Sequence, residues 1–127
     1  LIAPFSEEIL FRGILYGRAR KTLGRNAAVF FSGILFAVYH GNVVQGIYAL
    51  SMGILLACIY EKAGSIWAAV IFHGVGNVAV FLAIDRLGLG NVSLLLRIFA
   101  CVALLAAAAG CVLEYFPQLR LWFKAKA

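Results

Sequence analysis

Glu7-Glu8 with Arg12, His40 four residues after Phe36, and His73 four residues before Asn77 are the side chains of this chain best suited to chemistry. A carboxylate can accept a proton, an imidazole can accept or donate one, and an amide can donate to a developing oxyanion. Each motif sits inside strongly apolar sequence. An ionisable side chain at the centre of a bilayer costs roughly 2.5–3.5 kcal/mol, whereas a Leu or Ile returns only about 0.3–0.6 kcal/mol. One such charge therefore cancels several apolar residues, and the first apolar segment carries three. Groups held at that cost are held for catalysis or transport.

The elements that position them must be built for lipid. Of 127 residues, 65% are hydrophobic and 13% charged, and the mean hydropathy is +1.01; soluble domains are about half apolar. Lipid forces every backbone polar group to be satisfied internally, which favours helices, and the alternating pattern of a membrane barrel is absent. The expected fold is therefore all-α, a polytopic transmembrane helix bundle enclosing an intramembrane polar cavity. The net charge of +6 does not point to nucleic acid. Arg18, Arg20, Lys21 and Arg25 lie between apolar segments, and Arg120, Lys124 and Lys126 follow the last one. Such clusters mark cytoplasmic flanks whose acidic partners are lipid headgroups. Cys58, Cys101 and Cys111 fall in apolar segments without Cys-x-x-Cys spacing and read as small core residues.

Five helices are expected, over about 4–21, 26–40, 44–62, 65–84 and 92–116. Gly24, Gly41-Asn42, Gly64 and the Gly88–Gly90 stretch separate them, and Pro117 stops the last. Ser6 is a candidate cap for the first helix, Asn42 and Gln45 read equally well as cavity-mouth or helix-capping residues, and Asp85-Arg86 reads as loop. Tyr16, Tyr60, Trp67, Tyr115 and Trp122 fall at the basic ends, where amphipathic rings anchor in the interface. The chain opens in apolar sequence without an initiator Met, so the expectation is one domain, residues 1–127, cut from a longer membrane protein.

At about 1.5 Å per residue, Glu7 lies roughly 21 Å from Lys21, His40 roughly 22 Å from Arg25 and His73 roughly 16 Å from Lys62. All three fall in one slab near the midplane. Spacing by four lets Glu8 pair with Arg12, sets Phe36 beside His40 and Asn77 beside His73, and leaves Glu7 rotated about 100° from Glu8.

Glu-Glu-x-x-x-Arg, Phe-x-x-x-His and His-x-x-x-Asn, in this order on separate membrane helices, resemble the CPBP family of intramembrane proteases. That family includes type II CAAX prenyl endopeptidases and proteins of bacteriocin processing and immunity. The likeness covers about residues 4–82, including Ser6 to Gly13 and Gly64-Ser65-Ile66-Trp67. It implies an integral, multi-pass endopeptidase of a bacterial plasma membrane, acting on a membrane-associated peptide or lipidated protein. The fifth segment carries no motif and reads as scaffold.

On this reading Glu7, His40, His73 and Asn77 are catalytic, with Glu8, Arg12 and Phe36 supporting them. Glu7 is the general base, His40 shares its water, and His73 with Asn77 stabilises the oxyanion. Plainer alternatives stand beside each role. Glu7 could be a helix-end acid, although the basic flank lies at the other end; His40 could be a satisfied core histidine; His73 and Asn77 could only bridge helices. No cofactor is expected. The alternative is a zinc-dependent protease with Glu7, His40 and His73 as ligands, a set that matches a His-His-carboxylate site in type. A non-enzymatic rival is an immunity factor or transporter, although the repeats and interrupted helix pairs of common transporters are absent.

Overall fold

The computed structural model describes residues 2–85, and all of the ordered elements among them are helical. The expected fifth helix and the basic tail lie outside the described residues. Helix α1 (Ile2–Glu8) runs directly into a π-helical segment, Ile9–Tyr16, and then into α2 (Gly17–Tyr39). Two more helices follow, α3 (Val43–Ala63) and α4 (Ile66–Asp85).

Gly24 divides α2. Its φ of 78° and ψ of 166° are non-helical, so residues 17–23 finish the first rod and residues 25–39 form a second. A side chain would strain this left-handed backbone, which glycine adopts freely. Gly41 and Gly64, each with φ 63°, end the second rod and α3 in the same way. Every expected helix break in the described residues is met. Asn42 caps a helix end as expected, its Oδ1 accepting the Gln45 N–H at 3.2 Å. Two local readings change. Ser6 does not cap: its hydroxyl donates back to the Ile2 and Ala3 carbonyls, 3.2 and 3.0 Å away, because the helix has already started upstream. Asp85 closes α4 rather than lying in a loop.

The described helices form a membrane bundle. The stretches Ile2–Tyr39 (38 residues, bent at Gly24) and Gln45–Ala63 (19 residues) are each long and apolar enough to cross a bilayer. Large apolar side chains face outward, among them Ile34, Val38, Ile47, Ile71 and Val75, as lipid-facing surfaces require. The second rod of α2 crosses α3 at a pair of glycines. A Cβ on Gly53 would stand 2.9 Å from the Gly33 Cα and 3.1 Å from the Phe36 Cβ, so the two backbones touch. Small residues permit this close approach, which lets dispersion hold helices together in lipid. Around the crossing lie Phe11, Phe36, Ala49, Met52, Leu56 and Ala69, and below it Tyr16, Ala28, Val29 and Ala57.

Candidate active site

The π-helical segment starts immediately after Glu7-Glu8. Its wider turns are rare and recur at functional sites, and no residue type in 9–16 announces it. Glu8, Arg12 and Tyr16, spaced by four, are all 0% exposed and form one buried polar stripe along the first rod. Arg12 fills the centre. Its Nη1 donates to Glu8 Oε1 (3.0 Å), its Nη2 donates to the Gly53 carbonyl on α3 (2.9 Å), and its guanidinium lies 4.8 Å over the Phe36 ring. The i,i+4 pair was legible in the sequence; the Gly53 carbonyl was not. A glycine at the crossing gives Arg12 access to that backbone.

His73, 4% exposed on α4, completes the cluster. Its Nδ1–H donates to Glu8 Oε1 at 2.8 Å, and its Nε2 lies 3.7 Å from Glu7 Oε2. The second separation is too long for a direct hydrogen bond. Glu8 therefore fixes the ring, and the opposite nitrogen faces Glu7 without being bonded to it. This link between Glu8 and His73 was absent from the sequence reading, which paired Glu8 with Arg12 alone.

His40 caps the second rod. Its Nδ1 donates to the Phe36 carbonyl at 2.7 Å, using a helix-end acceptor that would otherwise be orphaned. That bond selects the tautomer and leaves Nε2 as the acceptor. Phe36 stands between the two imidazoles, ring to ring at 4.7 Å with His40 and 5.6 Å with His73. Glu7, Glu8, Arg12, Phe36 and His73 are thus in one contiguous group that His40 joins through Phe36. Asn77 stands apart, exposed one turn beyond His73 and without a hydrogen bond among the described residues. Tyr39 packs edge-on to Phe11 at 5.4 Å and to His40 at 5.8 Å. Trp67 stacks on Phe5 at 5.5 Å, two residues from Glu7, because the first turn of α4 lies across the first rod.

Among the described residues no three His, Cys, Asp or Glu side chains are gathered closely enough to hold a metal ion. Glu7, His40 and His73 do not form such a group in this arrangement.

Fold and site together define a helical membrane protein with a buried Glu-Glu-Arg-His cluster between its helices. Residues 1–79 match the Rce1-like family, type II CAAX prenyl endopeptidases, and the chain belongs to that family. It is also 26% identical over 80 residues to a Bacillus subtilis (strain 168) protein described as "Putative membrane peptidase YdiL", a match covering 63% of this chain. The chain spans 33% of that relative's length. No solved structure matches it.

Proposed function

We propose that this chain carries the catalytic centre of an intramembrane endopeptidase that hydrolyses a peptide bond in a membrane-anchored polypeptide, prenylated C-terminal tails among them. The observation that carries the reading is one buried imidazole held by Glu8 on one nitrogen and facing Glu7 with the other. Membership in a family of membrane proteases gives that geometry its chemical context.

Glu7, one-fifth exposed where Glu8 is sealed, is the carboxylate open to water. It takes a proton from a water whose other hydrogen is accepted by His40 Nε2. The resulting hydroxide adds to the scissile carbonyl carbon. Nε2–H of His73 and the exposed amide of Asn77 donate to the oxyanion, and Glu7 passes its proton to the leaving amide nitrogen as the bond breaks. The products are a carboxylate and an amine. Glu8 and Arg12 touch no reacting atom; they position His73. No metal or other cofactor takes part in this scheme.

Glu7→Gln tests it. The substitution removes the proton acceptor while keeping size and hydrogen bonding, so cleavage of a membrane-anchored reporter peptide should fall by at least about 1000-fold. Binding of an uncleavable peptide should persist. Full cleavage by Glu7→Gln would overturn the reading, and an immunity or transport activity that survives the change would favour the non-enzymatic alternative.

A further inference from the structure

The proposed chemistry leaves one polar link unused. Buried Tyr16 continues the stripe of Glu8 and Arg12 along the first rod. Its phenol donates to Glu61 Oε2 at 2.6 Å, and Arg20 Nη2 donates to Glu61 Oε1 at 2.6 Å. Both oxygens of one carboxylate on α3 are thus held by two residues of the first rod, four apart and on one face. Tyr60, next to Glu61, packs edge-on to Tyr16 at 5.7 Å. Hydrogen bonds to an ionised acceptor are short and about twice as strong as neutral ones. This link therefore constrains how the rod sits on α3.

The place of Glu61 in the chain gives the link its consequence. It stands in the last turn of α3, three residues before Gly64, whose N–H bonds back to the Tyr60 carbonyl at 2.9 Å. Helix α4, which carries His73, starts two residues after Gly64. The rod that carries Glu7 and Glu8 is thus fastened to α3 one turn before α4 begins. Arg12 fastens the same rod to α3 at a second point, the Gly53 carbonyl. One fastening would leave the rod free to pivot; two fix both its rotation and its height. We propose that Glu61 is a positioning residue for the cluster: through Tyr16 it holds the first rod in the register at which Glu8 Oε1 meets His73 Nδ1 and Glu7 faces Nε2. Its effect on turnover rests on the protease reading, whereas its effect on the imidazole does not.

The test uses the full-length protein in detergent micelles. Tyr16→Phe, which removes a single oxygen, and Glu61→Ala should each lower kcat about 10- to 100-fold with KM little changed, the scale of a misplaced catalytic group. The double variant should match the poorer single one within about twofold, because both changes break one link. Glu61→Gln keeps an acceptor for the phenol and should recover most of the loss. Val29→Ala trims the buried cluster around Tyr16 without touching the link, and it should leave kcat within about twofold. A second readout needs no turnover. In protein labelled with ¹⁵N-histidine, the Nδ1 proton resonance of His73, assigned by its loss in His73→Gln, should shift or broaden in Tyr16→Phe and Glu61→Ala and stay in place in Val29→Ala. An unmoved resonance in Tyr16→Phe and Glu61→Ala would overturn the positioning role, as would equal effects of Val29→Ala and Tyr16→Phe. A resonance that moves while Glu7→Gln still cleaves would leave Glu61 in its role and remove the protease scheme instead.

Discussion

Replacing Arg12 by Leu tests how far the cluster is removed from water. Arg12 and Glu8 are both 0% exposed, and the guanidinium holds Glu8 at 3.0 Å, the Gly53 carbonyl at 2.9 Å and the Phe36 face at 4.8 Å. Glu8 Oε2 has no hydrogen-bond partner among the described residues, so without Arg12 the carboxylate keeps only His73. Removing one partner of a buried ion pair costs about 3–5 kcal/mol, mostly the penalty of the stranded charge. Arg12→Leu should therefore destabilise by at least about 3 kcal/mol in equilibrium unfolding from mixed micelles. Glu8→Gln in the same background should recover part of that loss, because it removes the stranded charge. Arg12→Lys keeps the charge but cannot fork between Glu8 and Gly53; it should lose one charge-assisted hydrogen bond, about 1.5–3 kcal/mol. A cost below about 1 kcal/mol for Arg12→Leu, in the range of an exposed pair, would refute the claim that these charges are buried together.

The remaining predictions concern the crossing, the oxyanion and metal. Gly53→Ala forces a Cβ to within 2.9 Å of the Gly33 backbone and should destabilise by about 1–3 kcal/mol. Gly46→Ala meets its nearest atom at 3.5 Å and should be nearly neutral in the same unfolding assay. Asn77→Ala should lower kcat about 100- to 1000-fold with KM little changed, as for loss of one oxyanion donor; an unaltered kcat would remove Asn77 from the mechanism. Cleavage should survive dialysis against a strong chelator. Inhibition that added zinc reverses would replace the metal-free scheme while leaving Glu7 essential.

What could be read from residues alone is what local geometry controls. Glu8 and Arg12 four apart on a helix must share a face, and they pair. Gly24, Gly41 and Gly64 stop helices because they take backbone angles that strain other residues. Charged groups within apolar segments must avoid lipid, which made a helical membrane protein with an interior polar site the natural reading. Tertiary structure decided which turns of different helices meet. The contacts of Glu8 with His73, Arg12 with Gly53 and Tyr16 with Glu61 join residues 65, 41 and 45 positions apart. Periodicity reports which way a side chain faces, not its height beside a neighbour. That height depends on how closely Gly33 and Gly53 let two helices approach and on where the first rod widens into π turns. The burial of His73 and the exposure of Asn77, one turn apart on the same helix, were settled there too, by what packs against α4 at each level.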